Sequence, residues 1–337
     1  MTNTSGARSP GVVALGASAG GIDALQRTVA DLPANLPVAV CVVLHIPATP
    51  RSVLANIIAR RTRLSVNTAH DGDVLRAGHI YVAPPDHHLV VAPGRVLLDR
   101  GPKENGARPA IDPLFRSIAS SCGPRGAAVV LSGALADGAS GAAMVAGAGG
   151  VVIVQDPMDA SVPSMPEAAI AAVPSARVVA AHDLGALIAE LAVDLDGAHH
   201  DQEEANVAPD SIRPFVGSRG RPDGPPSGLT CPECHGPLWE KQTNGVVQFR
   251  CRVGHAFAEE VLLVAKDGEV EAAMWSAVET LEEHAELTRK VATRMAESGR
   301  ESAAAMLRGR ADTADHRAEV LRGVLAAAEA EPAAKTA

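Results

Sequence analysis

The chain has 337 residues, of which 47% are apolar, 20% charged and only 2% aromatic. That length allows about two domains with cores packed mainly from Val, Leu, Ile and Ala, and it excludes a peptide, a fibrous repeat or a wholly disordered chain. Net charge is −9, with 14 basic against 16 acidic groups in residues 1–200 and 16 against 23 in the remainder, so there is no basic footprint for nucleic acid or an anionic membrane surface.

From Gly11 to Leu195, short Val-rich runs alternate with Ala-rich segments of helical length, the pattern of βα units around a parallel sheet. Arg8 and Gly11–Ala17 mimic a signal peptide, but the apolar stretch is brief and runs into a glycine turn. The expected strands are Val12–Leu15, Val38–Leu44, His79–Ala83, Ala128–Leu131, Val151–Val154 and Val178–Ala180, with helices starting near Ile22, Arg51, Pro113, Gly141, Pro166 and Leu184. Pro93-Gly94 turns Leu89–Val91 into Val96–Leu98 as a hairpin. The unbroken apolar run Val38–Leu44 reads as a central strand buried on both faces.

Residues 196–228 are of different composition: His199-His200, acidic residues through Glu204, then Pro209, Pro214, Pro225 and Pro226, which reads as a linker. A cysteine-containing segment follows, then a region in which Val270, Met274, Ala277, Leu281, Leu287, Val291 and Met295 recur at helical spacing. Gly299 is expected to separate two antiparallel helices. No run is long and apolar enough for a membrane helix, and no solenoid repeat is present. The chain is therefore expected to be cytoplasmic, without membrane insertion or nucleic-acid binding.

Gly16-Ala17-Ser18-Ala19-Gly20-Gly21 joins the first strand to a helix. Such a turn exposes a Ser hydroxyl at the carboxyl edge of a sheet, as in a nucleophile elbow, or it is simply a glycine turn with a Ser N-cap. A dinucleotide loop wants Gly at position 18 and an acidic residue ending the second strand, where His45 stands, and no Lys follows for a Walker loop. Asp137, in Leu131-Ser132-Gly133-Ala134-Leu135-Ala136-Asp137-Gly138, follows another buried-looking strand and alternatively caps the next helix. Ser18, His45 and Asp137 are the residue types acyl transfer requires: a nucleophile, a base active at neutral pH, and a carboxylate that fixes the tautomer. Their order differs from that of α/β-hydrolases.

These blocks, with His45-Ile46-Pro47 and Tyr81-Val82-Ala83-Pro84-Pro85-Asp86-His87-His88, resemble the catalytic domain of chemotaxis protein-glutamate methylesterases, the CheB family, over residues 10–195. The resemblance implies an α/β, doubly wound, mostly parallel sheet. It also implies hydrolysis of glutamate γ-methyl esters on a chemoreceptor or similar signalling protein, with release of methanol and no catalytic cofactor. Ser18 is then the nucleophile, His45 the general base and acid, and Asp137 the residue that orients His45, with backbone N–H groups of Ala19 and Ala134 holding the oxyanion. Family members often carry Thr and Met at these last two positions; a backbone donor survives either change. Glutamine deamidation by the same triad is the neighbouring alternative, and a non-catalytic adaptor is the alternative from another class. Typical members begin with a receiver domain, whereas few residues precede Val12, so phosphorylation control in cis is not expected. Met165-Pro166 resembles a further block, with a structural or substrate-side role. His87 and His88 read as solvated or as supports behind the site.

Cys231-x2-Cys234 and Cys251-x3-His255, sixteen residues apart, have the spacing of a four-ligand structural Zn²⁺ site in a reducing compartment. In some relatives such a ribbon plus helices follows the domain, and the resemblance implies partner contact for it. Cys41 reads as a core thiol and Cys122 as a surface thiol. Metal binding by His199-His200 is outweighed by a solvated linker. Glu279, Glu282, Glu283 and Glu286 read as a solvated face, while the apolar stripe of their helix is a candidate for docking on the ribbon or on a second copy. The expected organisation is a catalytic domain over 1–195, a linker over 196–228, a zinc ribbon over 229–257 and a helical tail over 258–337.

Overall fold

The computed structural model describes residues 9–46, 53–198, 222–243 and 245–330. In chain order the first region runs β1 (Val12–Ala17), α1 (Gly21–Ala30), β2 (Ala39–Leu44), α2 (Leu54–Ala59), β3 (Ser65–Thr68), β4 (His79–Val82), β5 (His88–Ala92), β6 (Arg95–Asp99) and α3 (Ile111–Cys122). It continues through β7 (Gly126–Val130), α4 (Ala139–Gly147), β8 (Val151–Gln155), α5 (Ser164–Ala172), β9 (Arg177–Val179) and α6 (Ala181–Gly197).

Seven of these strands form one parallel sheet in the order β3-β4-β2-β1-β7-β8-β9. The order of strand addition reverses at β1, whose neighbours are β2 on one side and β7 on the other, so the carboxyl ends of these three strands meet at the topological switch point. Alternating side chains feed two cores. Val12, Ala14, Cys41, Val43, Ala128 and Val130 pack with α3, α4 and the β5–β6 hairpin, while Val13, Leu15, Val40, Val42, Val129 and Leu131 pack with α1, α2 and α6. Burial on both faces is why these strands read as continuous apolar runs.

Six strands agree with the expected ones to within two residues, and the helices expected from Arg51 and Leu184 begin at Leu54 and Ala181. β3 is an addition to the expected strands: its residues Ser65, Val66, Asn67 and Thr68 are exposed or half-buried at the sheet edge, so no apolar run marks them. Cys122 is a correction. It is buried in the last turn of α3 against the sheet, and burial pushes its thiol up to about 12. Cys41 lies in the core, as expected.

β10 (Pro226–Thr230), β11 (Pro237–Thr243), β12 (Val246–Cys251) and β13 (Ala256–Ala258) form a second, four-stranded sheet. Most of the expected linker, including His199-His200, lies outside the described residues, as does Pro47; its two ends fall in α6 and β10.

The chain divides into two compact units, the first ending at Leu262 and the second beginning at Leu263. Helices α7 (Glu259–Glu297) and α8 (Glu301–Ala330) are separated at Gly299, which has φ 76°, a left-handed conformation that glycine adopts freely. In the second unit Val278 meets Ala318 and Leu325, and Ala285 meets Ala311 and Ala314, so the helices run antiparallel. The buried seam steps by seven residues, Val278-Ala285-Ala292 against Ala304-Ala311-Ala318-Leu325, a heptad pattern. It differs from the expected stripe, since Val270, Ala277 and Leu287 are exposed. Glu279, Glu283 and Glu286 are exposed as anticipated, whereas Glu282 is half-buried and pairs with Arg322 at 2.5 Å. Among the described residues no helix is long and apolar enough to cross a membrane.

Candidate active site and metal centre

Ser18, His45 and Asp137 follow β1, β2 and β7, the three adjacent strands at the switch point. The turn after β1 is pinned to the neighbouring strand ends: Ser18 N–H donates to the Ser132 carbonyl at 3.0 Å, and His45 N–H to the Ala17 carbonyl at 3.1 Å. Ser132 Oγ donates to the Ala19 carbonyl at 2.8 Å and accepts from Val162 N–H at 3.0 Å. Gly20 has φ 71°, and a Cβ there would lie 2.6 Å from Ser161 Cβ, so only glycine fits. Gly20, not Ser18, is the N-cap of α1, which leaves the Ser18 hydroxyl free for another role.

That hydroxyl lies 3.1 Å from His45 Nδ1, and His45 Nε2 lies 2.7 Å from Asp137 Oδ2. The geometry matches a neutral imidazole that donates Nε2–H to the carboxylate and accepts Oγ–H at Nδ1, the ring being turned opposite to the serine-protease arrangement. Ser18 and His45 are half-buried, while Asp137 is only 2% exposed.

Asp137 also accepts from Ile111 N–H at 2.6 Å, Asp112 N–H at 3.2 Å and Asn105 Nδ2 at 2.8 Å. The two amides belong to the first turn of α3, where unpaired N–H groups favour an anion. Burial alone would push the Asp137 carboxyl up, but the hydrogen bonds from His45, Ile111 and Asn105 and the attraction of His45 hold it below the ordinary carboxylate range. Neighbouring Asp112 goes the other way. Burial first, and the Asp137 charge second, push it up to about 7, while it accepts from Gly141 N–H at 2.7 Å. One carboxyl of the pair is thereby kept ionised beside a second that protonates readily.

Ala19 and Ala134 are exposed, and their amides make no hydrogen bond among the described residues. Gly133 is as constrained as Gly20, since a Cβ would meet Met165 Sδ at 2.4 Å and Ser18 Cβ at 2.9 Å. Met165 itself is buried in the first turn of α5, its N–H on the Gly133 carbonyl at 3.0 Å, a structural placement beneath the turn. Leu135 has φ 65°, a region leucine rarely adopts. His88 is not solvated: it is buried, with Nε2 on the Pro102 carbonyl at 3.0 Å and Nδ1 accepting from Ala110 N–H at 3.2 Å, next to the start of α3. His87 is half-buried on the Pro85 carbonyl. Sequence alone does not single out Asn105, Asp112 or Ser132; Asn105-Gly106 marks a turn, but nothing in the sequence names its partners.

In the second sheet, Cys231 follows β10, Cys234 lies in the next turn, Cys251 ends β12 and His255 precedes β13. Their ligand atoms lie within 4.8 Å of one another. Cys234 Sγ is 3.6 Å from Cys251 Sγ, and His255 Nδ1 is 3.7 Å from Cys231 Sγ and 3.5 Å from Cys251 Sγ. A tetrahedral site with Zn–S about 2.3 Å and Zn–N about 2.0–2.1 Å has edges of about 3.5–3.8 Å, and the sulfurs are too far apart for a disulfide. These four residues can hold a metal ion with no ligand position left open.

The CheB methylesterase family model matches residues 13–188, and the chain belongs to that family. It is 42% identical over 176 residues to a Myxococcus xanthus protein named protein-glutamate methylesterase/protein-glutamine glutaminase 4, covering 52% of this chain and 50% of that one. A Rhodospirillum rubrum protein of the same name, numbered 1, is 42% identical over 168 residues, covering 47% and 43%. The chain thus spans about half the length of the curated relatives it matches. The crystal structure of the Thermotoga maritima CheB methylesterase catalytic domain superposes with TM-score 0.52 at 33% identity, covering 54% of this chain and 99% of that one. The matched part is the doubly wound sheet with its three strand-end residues.

Proposed function

We propose that the protein is a serine hydrolase that demethylates glutamate γ-methyl esters on a chemoreceptor-like signalling protein. The observation that carries this reading is the relay of two hydrogen bonds from Ser18 Oγ through His45 to Asp137. Ser18 Oγ attacks the ester carbonyl as its proton passes to His45 Nδ1, and the amides of Ala19 and Ala134 hold the resulting oxyanion. Collapse breaks the bond to the methoxy oxygen, which takes the proton from His45 and leaves as methanol. Water, deprotonated by His45, then cleaves the acyl-enzyme to a glutamate carboxylate and restores Ser18. Asp137 keeps the proton on Nε2 and stabilises the imidazolium. Exposure of Ala19 and Ala134 beside the half-buried Ser18 suits the tip of a protein side chain.

The relatives' double names favour glutamine deamidation as a second activity of the same groups, with ammonia in place of methanol. Cys231, Cys234, Cys251 and His255 are assigned to a structural Zn²⁺, which supplies the cross-link for the small second sheet and takes no part in the reaction.

The test is methanol release from a methylated receptor together with fluorophosphonate labelling. Wild type is expected to release methanol and to take the label at Ser18, and Ser18→Ala to do neither. Equal labelling of the two would remove the nucleophile assignment, and labelling without methanol release would leave a hydrolase of another substrate class.

A further inference from the structure

The loop between β6 and α3 lies between the candidate active site and the metal-ligating sheet, all within the first unit. Asn105, with φ 51°, is its pivot. Its Nδ2 donates to Asp137 Oδ1 at 2.8 Å and to Asp112 Oδ2 at 3.1 Å. Its Oδ1 accepts from Ala258 N–H at 2.8 Å, and its own N–H donates to the Ala256 carbonyl at 2.7 Å. One amide side chain therefore ties the Asp137 carboxylate to β13, the strand that begins next to His255. A second tie runs alongside: buried Glu104 accepts from Arg116 of α3 at 2.7 and 2.8 Å and from Arg250 of β12 at 3.4 Å. A third is apolar, since Ala136, adjacent to Asp137, is buried in one cluster with Cys231, Phe249 and Phe257, and Leu135 packs against it.

We infer that Asn105 is a positioning residue through which the metal-bound ribbon holds Asp137, and with it the His45 tautomer, in working geometry. The inference rests on the hydrolase reading above and adds to it a dependence on the metal. Asn105 suits this role because its donor end meets two carboxylates and its acceptor end a backbone N–H, so no other orientation of the amide satisfies both sides. The His255–Ala256–Phe257–Ala258 segment is anchored by a ligand and by pairing with β12. With the metal gone, a sheet this small loses the cross-link that fixes that segment, and the donor to Asp137 Oδ1 loses its own support. Asp137 keeps the α3 amides, so the effect is a loosening and not a collapse.

The full chain is used for the test, as wild type and Asn105→Ala, each with metal bound and after removal by a chelator. Bound zinc, thermal unfolding, the rate of fluorophosphonate labelling and the downfield NMR resonance of His45 Nε2–H hydrogen-bonded to Asp137 are measured. Metal removal from wild type is expected to slow labelling about 10- to 100-fold and to shift or broaden the resonance, with re-added Zn²⁺ restoring both. Metal-bound Asn105→Ala should show the same slow rate and altered resonance, and its metal removal should add no more than about twofold. An unchanged rate and resonance in fully demetallated wild type overturns the inference, as do independent, multiplicative losses from the two changes. Should Asn105→Ala fail to fold, reversible demetallation of wild type decides alone. If metal-bound wild type labels no better than Ser18→Ala, the hydrolase reading is what fails, and the resonance, which needs no substrate, still tests the link.

Discussion

The parallel sheet and the cysteine ribbon solve the same problem at different sizes. In the sheet, β1, β2 and β7 are buried along their whole length, and aliphatic side chains on both faces make two cores large enough to hold the strand ends rigidly. The ribbon has a single small cluster, in which two of its proposed ligands, Cys231 and Cys251, are themselves core members beside Phe249 and Phe257. In a chain with four Phe and two Trp, two Phe and Trp239 fall in this short segment, because aromatics bury the most surface per residue. A sheet of that size still needs a cross-link. Nucleophile and base thus stand on the part that is stable by burial, while the carboxylate behind them draws support from the part that depends on metal.

The largest effect is expected at the carboxylate where the two parts meet. Asp137→Asn removes the acceptor for His45 Nε2–H and inverts the favoured tautomer, and is expected to cut Ser18 labelling about 10⁴-fold with the sheet intact. Stopped-time labelling with circular dichroism on the same sample measures both. At the metal end, Cys231→Ser should abolish zinc binding and unfold the ribbon while the main unfolding transition of the sheet survives. A single transition in which sheet and ribbon are lost together would show that they are not energetically distinct.

The same contrast governs how much the amino-acid sequence discloses. The strands carrying Ser18, His45 and Asp137 are continuous apolar runs, and each of these residues stands just past the end of one. The ribbon's four proposed ligands announce themselves by spacing. Asn105 carries no such mark, because the two partners that give it its role lie 32 residues away at Asp137 and 153 away at Ala258, and only the packing of ribbon on sheet joins them. Cys122 departs from expectation for a related reason. It follows Ala119-Ser120-Ser121, a small-residue stretch whose burial is decided by the element folded over it. The edge strand β3 is half polar, so periodicity gives it no signal.

The ion pairs of Glu104, one of which reaches the ribbon at Arg250, offer a smaller and pH-dependent test. Burial pushes the Glu104 carboxyl up, but Arg116 and Arg250 overcome this and hold it at about 2, below the value of about 4.3 expected in the unfolded chain. A depressed folded value means stability present above about pH 4.3 and lost as pH falls toward 2, on the order of 3 kcal/mol. Glu104→Gln should therefore be less stable than wild type by roughly that amount at pH 7, and the gap should close through the acid range. Denaturant unfolding at stepped pH measures it, and a gap independent of pH would assign the role of Glu104 to packing alone.

The smallest expected effect lies in the helical pair, where apolar spacing and actual burial diverge. Leu287 is the larger side chain, yet it is 63% exposed, whereas Ala285 is fully buried against Ala311 and Ala314. An Ala-rich seam brings the helix backbones close and leaves no room for branching, so Ala285→Leu should overpack it at a cost of about 1–3 kcal/mol. Leu287→Ala removes more carbon from the chain but should stay within about 0.5 kcal/mol of wild type. Thermal unfolding of the two variants orders them, and a larger loss from Leu287→Ala would mean that its face is covered in solution, as it would be if α7 met a second copy of the chain.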